Sequence, residues 1–224
     1  MEVCELNILI TGCGSGLGRG FFEMRKDYSH NVFPHFRKPI SYIPLEDDNQ
    51  PLIGDITDPM FYDKLSSFID DNDINVFINN AALHKQENLL DTSDEDIIAM
   101  VNTNLTSQIL ILKRVYKFFK EKGDGLIINI NSVASKYPSA KETIYSATKS
   151  GLNAFSKALQ LESIGDRIEI VDFFPGAMQT RMTLGRDNYE TLMNVKDVAA
   201  MIYDVISNDR NISMNEIVIR KRGV

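Results

Sequence analysis

Residues 6–18 read Leu-Asn-Ile-Leu-Ile-Thr-Gly-Cys-Gly-Ser-Gly-Leu-Gly. The apolar run 6–11 predicts a buried strand. It passes directly into Gly12, Gly14, Gly16 and Gly18, which let the backbone turn sharply and come close to a ligand. A helix is expected to begin near Gly16. Its unpaired N–H groups and positive dipole end would then face the loop. Such a strand–loop–helix turn suits a phosphate, although a tight turn without a ligand would have the same composition. Two sharper templates do not fit. No Lys-Ser/Thr follows the glycines, so this is not a Walker A loop, and the spacing is GxxxGxG through Gly12, Gly16 and Gly18 rather than GxGxxG.

Working outward, apolar runs at 76–80, 126–131, 168–174 and 216–220 read as further strands. Helical patterns separate them at 59–70, 94–120, 140–162 and 196–206. Asp58 and Pro59 supply an N-cap and a first-position proline. Alternating β and α with nearly continuous apolar strands predicts a doubly wound parallel sheet of about seven strands, with helices on both faces, in one α/β domain over 1–224. Ligands bind such sheets at the carboxyl ends of the strands, so the residues just after each strand matter most. The segment 34–51, with Pro34, Pro39 and Pro44, is the hardest to read. Pro34 falls where the second strand should run, which predicts irregularity there.

The 224 residues carry 24 basic and 31 acidic side chains, net −7, with 43% hydrophobic residues. That is an ordinary globular balance with no global attraction to nucleic acid or an anionic membrane. The two cysteines, Cys4 and Cys13, form no CxxC or Cys/His cluster, so neither a disulfide framework nor a metal site is expected. Cys13 reads as a small filler in the loop. No leader-like segment or long apolar run is seen, and a cytoplasmic location is the expectation.

TGxxxGxG at a first strand–helix turn resembles the short-chain dehydrogenase/reductase family, of classical type, and the rest of the chain agrees in order. Asp55 in Gly-Asp-Ile-Thr-Asp matches an acidic residue beside the adenine. Asn79-Asn80-Ala81-Ala82 is close to the family's Asn-Asn-Ala-Gly, with alanine in place of glycine. Asn104 matches a helix asparagine, Ser132 a strand-end serine, Tyr145 and Lys149 the YxxxK pair, and Pro175-Gly176 with Thr180 the turn after the sixth strand. YxxxK also occurs at Tyr116/Lys120 and Tyr137/Lys141. Tyr116 lies inside a helix leading away from the strand ends, and Tyr137 precedes a proline, which disfavours helical geometry.

The resemblance implies a Rossmann-type fold and hydride transfer between NADP(H) or NAD(H) and a carbonyl or secondary alcohol, with Ser132, Tyr145, Lys149 and Asn104 as the catalytic set. It implies cofactor contacts from Gly12, Ser15, Gly16, Leu17, Gly18, Arg37, Asp55, Ile56, Asn80, Ala81, Lys149, Pro175, Gly176 and Thr180. Lys149 would hold the nicotinamide ribose, and Asn104 a water in a proton relay. Lys149 lies four residues after Tyr145, on the same helix face, where its charge would favour the phenolate. Ser132 would polarise the substrate oxygen. The family's acidic position after the second strand falls on Phe36, followed by Arg37 and Lys38. NADP(H) is therefore favoured over NAD(H). A substrate loop is expected over about 177–195, and His84, Lys85, Arg181 and Arg186 near the mouth would suit a polar or anionic substrate. The long helices 94–120 and 140–162 would pair across a two-fold axis in a homodimer or homotetramer, Ile109, Leu112, Val115, Phe118 and Phe119 being more apolar than one helix face needs. Two other readings stay open. One is a non-catalytic dinucleotide-binding redox sensor. The other is a relative of sugar-nucleotide epimerases and dehydratases, although few residues follow Thr180 to build their substrate domain.

Overall fold

The computed structural model describes residues 5–40, 50–208 and 212–222; Cys4 and Pro44 lie outside them. Seven parallel strands form one sheet in the order β3-β2-β1-β4-β5-β6-β7. They are β1 Asn7–Ile10, β2 Asn31–Phe36, β3 Leu52–Ile53, β4 Val76–Asn79, β5 Gly125–Ile130, β6 Ile168–Pro175 and β7 Glu216–Ile219. The helices are α1 Gly16–Glu23, α2 Pro59–Asp71, α3 Asp94–Val101, α4 Ser107–Lys122, α5 Thr143–Glu162 and α6 Val195–Ile206.

Alternation along each strand divides the core in two. Ile8, Ile10, Ile78, Ile128 and Phe173 face α1 and α6 in one cluster. Leu9, Phe77, Ile127 and Ile170 face α2, α4 and α5 in the other. Both faces are covered, as a parallel sheet requires. On the α1/α6 side the Tyr203 ring is stacked between Phe21 and Tyr28, with centroids 4.0 and 3.7 Å away, and its hydroxyl donates to the Phe21 carbonyl at 3.1 Å.

The irregularity expected at Pro34 is absent: β2 is a regular strand. The amide of Asn31 bonds the Leu6 carbonyl on the β1 side, and the Phe36 carbonyl receives the Gly54 amide on the β3 side. Bonding direction alternates along a strand, so the missing N–H of Pro34 faces β3. That strand pairs only with His35 and Phe36, and no ladder bond is lost. β3 itself is too short to show any periodicity in the sequence.

The expected helix 94–120 is also more complex. Ser93 caps α3, its hydroxyl accepting from the Asp96 amide. Asn102–Thr106 then forms a π-helical turn before α4, which runs on to Lys122 and ends at Gly123 with φ 81°. π-turns insert one extra residue and re-aim what they carry; here that is Asn104. Pro175 closes β6 rather than following it, and α5 begins at Thr143, with Glu142 as its N-cap residue.

Candidate active site

The loops leaving β1, β4, β5 and β6 open onto one cleft of about 1200 Å³. It straddles the point where chain order reverses between β1 and β4, the usual ligand position in such sheets.

At one end lies the glycine loop. Gly12 and Gly16 have φ of 76° and 58°, left-handed values that suit glycine. A Cβ on Gly12 would stand 2.9 Å from the Ala81 Cα, and one on Gly18 would stand 2.5 Å from the Gly12 carbonyl oxygen. Thr11 and Asn80 tie the loop to β4. The Thr11 hydroxyl accepts the Asn80 and Ala81 amides at 2.9 and 3.0 Å, and Asn80 Nδ2 donates to the Thr11 carbonyl at 2.7 Å. Ser15 precedes α1 without a side-chain cap, leaving the first-turn amides facing the cleft. This cradle, with Gly14, Ser15, Gly16 and Leu17 on its wall, fits the phosphates of a dinucleotide.

His35 was not singled out by the sequence. Its Nδ1 accepts the Gly12 amide at 3.1 Å and its Nε2 donates to the Gly54 carbonyl at 2.9 Å. Burial holds its pKa below the ordinary histidine value, which keeps it neutral for this clamp between loop, β2 and β3. A lone histidine in a strand gives no sequence signal for such a role. Next to it Phe36 is 2% exposed within the core, whereas Arg37 and Lys38 line the cleft with Asp55, Ile56 and Thr57. Burial works to raise the Asp55 pKa, but hydrogen bonds from the Thr57 amide and hydroxyl, with Arg37 nearby, outweigh it and leave the carboxyl below its usual range.

At the other end Ser132, Tyr145 and Lys149 share the wall with Ile130, Pro175, Gly176 and Thr180. Ser132 Oγ accepts the Ala134 amide at 3.1 Å, leaving its proton free to donate. Lys149 Nζ donates to the Ile130 carbonyl at 2.8 Å. The expected depression of the tyrosine pKa by Lys149 is not found. Burial pushes the Tyr145 hydroxyl up to about 12, with Ser132 acting against the rise and Glu142 adding to it. The Lys149 ammonium lies 6.0 Å from the Tyr145 ring centroid, and burial brings Lys149 itself down to about 8, opposed by Asp172.

Two expected site residues lie off the cleft wall. Gly18 packs behind the loop, where its missing side chain lets α1 approach. Asn104 is fully buried. Its Oδ1 accepts the Leu83 amide and its Nδ2 donates to the Leu83 carbonyl, both at 2.7 Å. It locks the segment after β4 rather than bonding the preceding helical turn. Lys85 turns away to Glu87 and Asp96. His84, Arg181 and Arg186 do line the cleft. Glu142, missed in the sequence, joins two of them. Its Oε1 receives His84 Nε2 at 3.1 Å and an Arg186 nitrogen at 2.9 Å, and these contacts, His84 first, hold its carboxyl below the usual range despite burial. The His84 ring meets the Tyr145 ring edge-on, centroids 4.8 Å apart. The place of Glu142, the N-cap residue three positions before Tyr145, was the available signal. Cys13 is buried, with its thiol pushed up to about 12 by burial, as a filler should be.

Residues 6–190 match the family model for short chain dehydrogenase. The NADP-dependent 3-hydroxy acid dehydrogenase of Schizosaccharomyces pombe is 30% identical over 193 residues, covering 80% of this chain and 74% of that protein. The 3-oxoacyl-(acyl-carrier-protein) reductase of Buchnera aphidicola is 27% identical over 236 residues, covering 97% and 96%. The fold matches the 3-ketoacyl-(acyl-carrier-protein) reductase of Brucella melitensis complexed with NADH, with a TM-score of 0.84 at 22% identity over 96% of each chain. The chain belongs to the short-chain dehydrogenase/reductase family of oxidoreductases.

Proposed function

We propose that the protein transfers hydride between NADP(H), favoured over NAD(H), and a small carbonyl or secondary alcohol substrate. The observation that carries this is the convergence of Ser132, Tyr145 and Lys149 on the cleft that begins at the glycine loop. The dinucleotide supplies or accepts the hydride. Gly14–Leu17 would hold its phosphates, Asp55 and Ile56 would flank its adenine, and Lys149 would reach its ribose. Ser132 donates a hydrogen bond to the carbonyl oxygen, and Tyr145 gives that oxygen its proton as the carbonyl becomes a hydroxyl. A tyrosine pushed up to about 12 is held as the neutral phenol this step needs. Asn104 acts by position, fixing Leu83 beside the substrate. Relatives that are a 3-hydroxy acid dehydrogenase and a 3-oxoacyl-(acyl-carrier-protein) reductase support this reaction class.

The NADP(H) preference rests on Arg37 and Lys38 lining the cleft while the position that carries an acid in NAD sites holds the buried Phe36. Arg37→Gln should weaken NADPH binding about 10- to 100-fold and leave NADH within a few-fold, the loss expected for one charge-assisted phosphate contact. Fluorescence titration with both dinucleotides checks this, and equal loss for the two refutes it. Turnover of a panel of carbonyls and secondary alcohols tests the reaction itself.

Among the described residues no helix is long and apolar enough to cross a membrane. The small, exposed residues Ala147, Ala154 and Ala158 of α5, with the half-buried Gly151, form an uncharged stripe. It supports a homo-oligomer built on α4 and α5.

A further inference from the structure

We infer that the substrate carries a free carboxylate, received by the guanidinium of Arg186 with Arg181 at the mouth. The inference rests on the hydride-transfer reading and names the substrate class for it. Arg186 lines the cleft and is held in place by Glu142. Glu142 is therefore occupied in aiming Arg186, and it is fixed from the other side by His84. Yet Arg186 Nε is buried without a hydrogen-bond partner among the described residues. An unpaired buried donor on a charged group is costly, and its presence in a ligand cleft calls for an acceptor.

Arg181, on the same loop, lines the cleft, is exposed, and has no ion pair among the described residues. Two guanidiniums against one carboxylate leave this end positive, in a chain whose net charge is −7. A guanidinium offers the planar pair of donors that a carboxylate accepts. The spacing limits chain length. Arg186 meets Glu142, Glu142 meets His84, and the His84 ring lies 4.8 Å from the Tyr145 ring, so the anchor stands close to the proton donor. Leu83, Ala99, Val133 and Met178 give the remaining wall apolar stretches beside Asn102, Thr103, Tyr137 and Ser139. A short hydroxy acid, or its oxo counterpart, fits; an ester or thioester of the same acid lacks the charge.

The test compares racemic 3-hydroxybutanoate with its methyl ester as substrates for the wild-type protein and for Arg186→Gln and Arg181→Gln. Dinucleotide affinity is titrated first on each protein. The acid should be preferred by at least about 10-fold in kcat/KM, the worth of one charge-assisted pair. Arg186→Gln should erase that preference through KM for the acid while leaving dinucleotide binding and the ester's kcat/KM within a few-fold. Arg181→Gln should reduce it partially. If neither compound turns over, calorimetry of 3-hydroxybutanoate with the NADP⁺-bound protein decides. Saturable binding lost in Arg186→Gln supports the inference; no binding, or undiminished binding, overturns it. Acid and ester used equally well by the wild type also overturn it. Dinucleotide binding without acid discrimination refutes the carboxylate anchor alone, whereas failure to bind dinucleotide refutes the proposed function beneath it.

Discussion

Replacing Tyr145 with Phe keeps the ring against His84 and the packing of α5 but removes the proton donor. A general acid or base is typically worth about 10²–10⁴ in rate. Tyr145→Phe should therefore lower kcat by about that factor and leave dinucleotide affinity within a few-fold. Tyr116→Phe is the control. That hydroxyl donates to Asp166 at 3.1 Å, outside the cleft, so turnover should stay near wild type. Steady-state kinetics with dinucleotide titration separates the two, and near wild-type kcat in Tyr145→Phe would sink the mechanism. Asp172 on β6 makes a different claim. It is fully buried with neither oxygen in a well-formed hydrogen bond. Burial raises it to about 7, with Ser156 and Asn131 alongside easing the charge and Glu216 adding to the rise. A carboxyl whose folded pKa exceeds its unfolded value stabilises the fold below the unfolded value and loses that contribution as pH rises to the folded one. The window here runs from about 4 to about 7. Asp172→Asn removes the charge, so it should gain stability over wild type by on the order of 2 kcal/mol at pH 8 and by little at pH 4. Denaturant midpoints at both pH values measure the gap; a gap that closes with rising pH contradicts the assignment.

Elements, rather than single side chains, decide whether the glycine loop forms. A Cβ on Gly18 would fall 2.5 Å from the Gly12 carbonyl oxygen and 2.6 Å from Asn80 Nδ2. Backbone cannot yield there without pulling α1 from β4. Gly18→Ala should cost about 1–3 kcal/mol as overpacking and weaken dinucleotide binding although Gly18 never faces the cleft. A melting temperature and dinucleotide affinity equal to wild type would show that the loop tolerates the shift. The same scale explains what could be read in the sequence. The loop, Ser132 and the Tyr145–Lys149 pair follow strands or share one helix face, so local spacing places them. Pro34 misled because its tolerance depends on β3 beginning only opposite His35. The π-turn at Asn104 and the His35 clamp rest on contacts between segments far apart in the chain, which no local pattern encodes; the partners of Glu142 are equally remote, although its place just before Tyr145 was readable.

At the scale of the whole molecule, α5 presents an unusual outer face. Ala147, Ala154, Ala158 and Leu161 are exposed and Gly151 is partly so, a line of small or apolar residues at helical spacing with no charge on it. Leu112, Val115 and Phe119 of α4 are consumed inside the monomer, so the excess of apolar residues expected on that helix narrows to the half-buried Ile109 and Phe118. The stripe on α5 needs no such excess. Small residues let two helices approach closely, and a two-fold axis would set each stripe against its copy, the commonest form of soluble assembly. α5 is 20 residues long, about 30 Å of contact line. Ala154→Arg puts a charge at the middle of that line, at an exposed position whose own chain has no packing to lose. Light scattering at micromolar concentration should give a dimer or tetramer mass for wild type and a smaller assembly for Ala154→Arg, whose melting temperature at equal protomer concentration should also fall because the partner subunit no longer stabilises the folded chain. A monomer mass for wild type would remove the assembly altogether. An unchanged mass in Ala154→Arg would place the interface on another face.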